Sequence, residues 1–179
     1  MESESKPRTV LITGGCTGIG LAIAQAFAQQ GCHVVATSLR EADLTGPALE
    51  TLDATQLDVT VDDAVDRLVT GLTRLDVLVN CAGTIARGGN EHEVDTFARV
   101  LEVNLTGVMR MCKACRTLLA DSGGCILNVA SMLSFFGSGR VPAYSSSKGG
   151  IVQLTKSLAI AWASEGIRVN AIAPGWLKT

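Results

Sequence analysis

Four glycines between a short apolar run and an amphipathic stretch constrain this chain more than any other feature. Thr9–Thr13 runs into Thr13-Gly14-Gly15-Cys16-Thr17-Gly18-Ile19-Gly20, and Leu21-Ala22-Ile23-Ala24-Gln25-Ala26-Phe27 follows with helical spacing. The order is strand, glycine-rich turn, helix. Without a Cβ, such a turn lets backbone amides approach a phosphate and aims the positive end of a helix dipole at it. The spacing is T-G-x-x-x-G-x-G rather than the G-x-G-x-x-G of two-domain dehydrogenases. A strand feeding a helix in this way belongs to a parallel sheet.

The rest of the chain repeats that unit. Short β-branched runs alternate with longer 3.6-period segments, giving strands at Thr9–Thr13, His33–Thr37, Thr55–Val59, Asp76–Asn80, Cys125–Ala130 and Arg168–Ile172. Helices are expected at Gly18–Gln30, Val61–Leu72, Val94–Val103, Leu105–Ala120 and Tyr144–Ser164, stopped by Gly31, Gly123–Gly124 and Gly166. Gly46-Pro47 leaves Arg40 to Ala54 ambiguous. The fold class is α/β, and 179 residues suit one domain rather than two.

Composition removes several functions. With 15 Lys+Arg against 17 Asp+Glu the net charge is −2, so no basic field exists to hold nucleic acid or an anionic membrane surface. A mean hydropathy of +0.31 raises the question of a membrane span, and Thr9 to Leu39 and Ser122 to Gly139 both lack Asp, Glu, Lys and Arg. Glycines, glutamines and serines interrupt both stretches, which read as buried parallel strands with their turns. Met1 to Arg8 carries charges of both signs and no apolar core, so no secretory signal is expected and the protein is placed in the cytoplasm. The six cysteines are expected to be reduced. Cys112 and Cys115 share the apolar helical face of Val108, Met111 and Leu118, and no second C-x-x-C or paired histidine completes a metal site.

The glycine-rich turn, Asn80-Cys81-Ala82-Gly83, Asn104, Ser131, Tyr144-x-x-x-Lys148 and Pro174-Gly175 occur in the order found in the short-chain dehydrogenase/reductase family, and the chain resembles that family over nearly its whole length. Cys81 replaces the second Asn usual in the family's N-N-A-G. The resemblance implies a Rossmann doubly wound parallel sheet in strand order 3-2-1-4-5-6. It also implies one dinucleotide-binding domain, residues 1–179, that carries the catalytic residues. Members usually continue beyond Pro174-Gly175 into a substrate lid and a last strand, so the domain is expected to be incomplete at its C-terminus, with those parts omitted.

Tyr144 and Lys148, four apart at the start of a helical pattern, share one face. A free phenol titrates near 10, and a neighbouring ammonium favours its ionised form, which suits general acid–base work. Ser131 follows the strand Cys125–Ala130, at the sheet edge where substrates bind, and its hydroxyl can hold a substrate oxygen. The resemblance implies that Ser131 orients the substrate, Tyr144 exchanges the proton, Lys148 also binds the nicotinamide ribose and Asn104 holds a water of the proton relay. It further implies that the dinucleotide contacts Gly14, Cys16, Thr17, Gly18, Ile19, Gly20, Ser38, Arg40, Asp58, Val59, Asn80, Ala82, Gly83, Tyr144, Lys148, Pro174, Gly175, Leu177 and Thr179. Asp58 reads alternatively as a helix N-cap.

An acidic residue about 20 positions past the turn favours NAD. Here Ser38 occupies that place with Arg40 beside it, so NADP is favoured over NAD, although Glu41 and Asp43 oppose Arg40. The expected function is NAD(P)-dependent interconversion of a secondary alcohol and a ketone. Ser131–Phe136 and Val141–Ala143 resemble the sugar-acid branch of the family, with Ser134, Trp176, Arg87 and Arg140 as further substrate contacts. A 3-oxoacyl-carrier-protein reductase is the alternative within the family. A dinucleotide-binding sensor or scaffold without turnover, and a methyltransferase, are the alternatives outside it. The resemblance implies a homotetramer in which the helices Leu105–Ala120 and Tyr144–Ser164 pack against those of other copies, through residues such as Val108, Ala159 and Trp162.

Overall fold

The computed structural model describes residues 7–177. Six strands form one sheet: β1 (Thr9–Thr13), β2 (His33–Ser38), β3 (Asp53–Gln56), β4 (Val77–Asn80), β5 (Cys125–Val129) and β6 (Arg168–Ile172). Their order is β3-β2-β1-β4-β5-β6. Every pairing is parallel. The expected order is therefore the observed one, and it reverses between β1 and β4, which places a crevice at the carboxyl ends of those two strands.

Five helices connect the strands: α1 (Gly18–Gln29), α2 (Asp62–Thr70), α3 (Val94–Leu101), α4 (Gly107–Ser122) and α5 (Pro142–Ala161). Successive strand residues face opposite sides of the sheet. Leu11, Val35, Leu78 and Ile126 therefore pack with Val65, Met111, Cys115, Leu119, Ile151 and Leu158 of α2, α4 and α5. Val10, Ile12, Val34 and Val79 pack on the other face with Ala24 and Phe27 of α1. Cys112 and Cys115 are both fully buried in the first cluster, as the apolar spacing implied. Burial pushes the Cys112 thiol up to about 12, so it behaves as a small apolar group.

Several boundaries differ from expectation. The third strand stops at Gln56, where β2 also ends, with Ser38 opposite Gln56. Leu57 and Val59 are apolar and are expected in the strand. They are buried instead beneath the helices of the first cluster. Asp58 therefore lies beyond β3 rather than at its end. It is not a helix cap either: Thr60 N and Oγ1 donate to its Oδ1 at 2.9 and 2.7 Å, while α2 begins at Asp62 after Val61. The two helices expected on either side of Asn104 are one continuous helical path, because a π turn spans Glu102–Thr106 and joins α3 to α4. The ambiguous segment after β2 forms two short 3₁₀ turns, Glu41–Asp43 and Pro47–Leu49.

Candidate active site

The carboxyl ends of β1 and β4 are tied together. Thr13 Oγ1 accepts from the amides of Cys81 and Ala82, both at 3.2 Å. The glycine-rich turn lies directly against this segment: a Cβ on Gly14 would stand 2.9 Å from Ala82 Cα, and one on Gly20 would stand 2.0 Å from the Gly14 carbonyl oxygen. These two positions need glycine for close backbone approach. Thr17 is the N-cap of α1 but supplies no side-chain bond to it. The first-turn amides of α1 thus lack a side-chain cap, which fits an anionic phosphate at the helix end.

Asn80, at the end of β4, faces inward. Its Nδ2 donates to Asn128 Oδ1 at 2.9 Å, and Asn128 Nδ2 donates to Thr155 Oγ1 at 2.9 Å, so it holds the sheet to α5. Val59 is fixed by Arg110, whose Nη1 donates to the Val59 carbonyl at 2.9 Å while its other nitrogens pair with Asp62 and Glu102. Pro174 accepts through its carbonyl from Met132 N at 2.9 Å, which keeps Gly175 beside the Met132 sulfur at the site's edge. Trp176 and Leu177 are exposed. Thr179 lies outside the described residues.

The four residues expected to carry the chemistry converge at the β5 end of the crevice. Ser131 caps a 3₁₀ turn, Met132–Ser134, in a reciprocal capping box. Its Oγ accepts from Leu133 N at 3.2 Å and keeps its own proton to donate. Ser134, read from sequence as a pocket residue, acts internally. Its Oγ accepts from Ser131 N at 3.2 Å and donates to the Lys148 carbonyl at 2.7 Å. Lys148 is buried, its Nζ donating to the Val129 carbonyl at 2.6 Å and lying 5.7 Å from the centre of the Tyr144 ring. Burial lowers the Lys148 ammonium to about 8. The same cation opposes the burial that raises the Cys81 thiol.

Asn104 sits at the middle of the π turn and is fully buried. Such a turn adds one residue to the helical repeat and rotates it off the surface spacing. Thr84 N donates to Asn104 Oδ1 at 2.7 Å, and Asn104 Nδ2 donates to the Thr84 carbonyl at 2.8 Å and to Ser147 Oγ at 3.1 Å. Its side chain is thus engaged with the chain after Gly83.

At the end of β2, Ser38 Oγ donates to Asp43 Oδ2 at 2.7 Å, and Arg40 clasps the same carboxylate through Nε at 3.0 Å and Nη2 at 2.7 Å. These bonds, Arg40 first, hold the Asp43 carboxyl below its usual range. The same carboxylate adds to the burial that raises the Cys16 thiol.

The sequence patterns did not single out Glu91, Ser147 or Arg110. Each has at least one partner 43 or more residues away. No local signal distinguishes Glu91 from the neighbouring Glu93.

A family model described as short chain dehydrogenase matches residues 8–179. The chain belongs to the short-chain dehydrogenase family. It is an NAD(P)-dependent oxidoreductase of the type that interconverts alcohols and carbonyls. Among the relatives of this short-chain dehydrogenase is the cis-4-hydroxycyclohexanecarboxylate dehydrogenase of Sinomonas cyclohexanicum, 40% identical over 96% of this chain and 74% of that protein. The 2-dehydro-3-deoxy-D-gluconate 5-dehydrogenase of Bacillus subtilis is 38% identical over 97% of this chain and 72% of its own length. A crystal structure of an actinorhodin polyketide ketoreductase with NADPH superposes with a TM-score of 0.88 at 33% identity, covering 96% of this chain and 71% of that one.

One expectation about assembly changes. Val108 and Trp162 are buried within the first core cluster, so they cannot face another copy. Met109 on α4 and Ile160 on α5, close to them in the chain, are exposed. Among the described residues, no helix is long and apolar enough to cross a membrane.

Proposed function

We propose that this dehydrogenase oxidises a secondary alcohol or reduces the corresponding ketone with Tyr144 as general acid and base, within one dinucleotide-binding domain spanning residues 1–179. The observation that carries the reading is the linkage of Ser131, Tyr144 and Lys148. Ser134 Oγ bridges Ser131 N to the Lys148 carbonyl, and Lys148 Nζ stands 5.7 Å from the Tyr144 ring centre. When bound, the nicotinamide supplies or accepts the hydride. Ser131 donates a hydrogen bond from its hydroxyl to the substrate oxygen and orients it. Tyr144 delivers a proton to that oxygen during reduction and removes it during oxidation. Lys148 places a positive charge beside the phenol and binds the nicotinamide ribose, and the turn around Asn104 leads the proton relay towards water. The amides of Gly14 and Cys16–Gly20 hold the pyrophosphate. Asp58, Val59, Asn80, Ala82, Gly83, Pro174, Gly175 and Leu177 line the rest of the dinucleotide, and Thr179 is assigned there from sequence alone.

NADP is the proposed form of the dinucleotide. Ser38 offers no carboxylate of its own, and the Arg40 side chain remains 73% exposed, open to a 2′-phosphate. The solved relatives described with NADPH support the same choice. Asp43 opposes it. For the substrate we propose a hydroxy acid or keto acid of the sugar-acid type, supported by the carboxylate-bearing compounds named in two relatives. A cytoplasmic homotetramer built through the α4 and α5 faces completes the proposal.

Tyr144→Phe tests it. With 2-dehydro-3-deoxy-D-gluconate and other carbonyl compounds as probes, turnover is expected to fall about 10²- to 10⁴-fold, while NADPH affinity by fluorescence titration stays unchanged. A variant that keeps more than about a tenth of its turnover refutes the acid–base role.

A further inference from the structure

Glu91 belongs to none of the motifs above, yet it is fully buried, with 0% of its surface exposed. It lies in a 3₁₀ turn, Asn90–His92, in the loop between β4 and α3. Its two oxygens serve two different segments. Oε1 accepts from Ala86 N at 2.8 Å and Oε2 accepts from Tyr144 N at 2.8 Å. A buried carboxylate is costly unless its oxygens are fully used. Here charge-assisted bonds from two amides and the positive end of α5 offset that cost.

The N-cap of α5 is Val141, which offers no side-chain acceptor, and Tyr144 is the third residue of the helix. An N-cap Ser, Thr or Asp normally accepts the amide of the second or third helical residue. Glu91 performs that task from 53 residues away. A local cap would secure α5 alone. A carboxylate from this loop also fixes α5 against the chain that follows Gly83, the segment that Asn104 grips through Thr84. His92 adds a second tie between the same two segments, with its Nε2 3.0 Å from the Gly139 carbonyl.

We infer that Glu91 is a positioning residue for the reaction, holding the backbone of Tyr144 in register with the substrate side of the β4 loop. This rests on the reading of Tyr144 as the acid–base group. Functional groups must be held within about half an ångström by such support, and displacement of about 1 Å can cost about a hundredfold in rate.

The test uses the full chain with Glu91→Gln, Glu91→Ala, and Glu91→Ala combined with Val141→Thr, a near-isosteric change that gives α5 a local cap. Amide hydrogen exchange is read without ligand. In Glu91→Gln and Glu91→Ala, exchange is expected to rise together in residues 84–92 and 141–148. In the double variant, 141–148 recovers while 84–92 does not. With the carbonyl probe that the wild type turns over, kcat per folded molecule is expected to fall about tenfold to a hundredfold in Glu91→Ala, with NADPH affinity changed less than about threefold, and to stay low in the double variant. Val65→Ala, a core change on α2, lowers the melting temperature without lowering kcat per folded molecule. The inference is overturned if exchange rises only in 141–148, if kcat in Glu91→Gln matches the wild type, or if Val141→Thr restores kcat along with stability. Should Glu91→Ala fail to fold, Glu91→Gln carries the test, since it keeps one acceptor oxygen. Loss of activity in Tyr144→Phe with full activity in Glu91→Gln defeats this inference alone, whereas an active Tyr144→Phe defeats the acid–base reading first.

Discussion

Lys148→Met should reverse the sign of its effect on stability as pH rises. The side chain is only 5% exposed, and burial lowers its ammonium from 10.5 to about 8. At about 1.4 kcal/mol per pH unit, that depression corresponds to roughly 3 kcal/mol by which the folded state disfavours the charged form. Between pH 8 and the unfolded value the folded chain binds fewer protons than the unfolded chain, so stability from this group rises with pH across that window. Below pH 8 the cost is present in full. A methionine of similar length removes the cost, but it strands the Val129 carbonyl that Lys148 Nζ now serves at 2.6 Å, a loss of about 1–2 kcal/mol. The variant is therefore expected to be about 1–2 kcal/mol more stable than the wild type at pH 7 and about 1–2 kcal/mol less stable at pH 10.5, crossing near pH 9. Urea unfolding of both proteins at half-unit steps from pH 7 to 10.5, compared as differences, cancels the contributions of groups beyond the reach of Lys148, such as the acidic and basic groups on α2. A difference that stays flat, or that favours the variant more strongly at high pH, refutes the account of Lys148 as a buried, costly cation. The variant should at the same time be inactive, since the cation is the group proposed to act on Tyr144.

Two further changes probe the dinucleotide site. Gly20→Ala forces a Cβ to within 2.0 Å of the Gly14 carbonyl, and is expected to cost about 1–3 kcal/mol of stability through overpacking and to abolish NADPH binding in a fluorescence titration; Gly137→Ala, where the added Cβ meets nothing within 4 Å, should leave both unchanged. Asp43→Asn frees Arg40 from its carboxylate partner and should raise affinity for NADPH relative to NADH about fivefold, the scale of an exposed ion pair, with equal affinities before and after showing that Asp43 does not act on the choice.

The sheet order and the helix positions were legible because buried parallel strands are continuous apolar runs, and because the glycine-rich turn fixes the first strand and helix in order. Misplaced boundaries arose where burial and strand pairing diverge. Leu57 and Val59 are as buried as strand residues but pack under helices after the β2–β3 ladder has ended. The π turn left a trace as well: the helical spacing slips at Asn104, and a slip reads equally as a break between helices or as one extra residue inside a single helix. The backbone of Glu102–Thr106 decides between them, carrying the helix on through a π turn.

The residues of the site were legible by type, but their supports were not, and the difference has one physical cause. Periodicity reports which face a side chain occupies, whereas this site is assembled by bonds between a polar side chain and the backbone of a distant segment: Lys148 to Val129, Ser134 to Lys148, Asn104 to Thr84, and Glu91 to Ala86 and Tyr144. Such bonds carry no spacing rule, since any loop that reaches the amide or carbonyl can supply the partner. Arg40 makes the same point in reverse. Sequence supplied a cation at the end of β2, but whether it is free depends on Asp43, whose reach back to Ser38 exists only because Glu41–Asp43 folds into a 3₁₀ turn. Chemistry was therefore readable from residue identity at a strand end, while its alignment, and with it the choice of dinucleotide, is a property of loops whose contacts arise only in the folded chain.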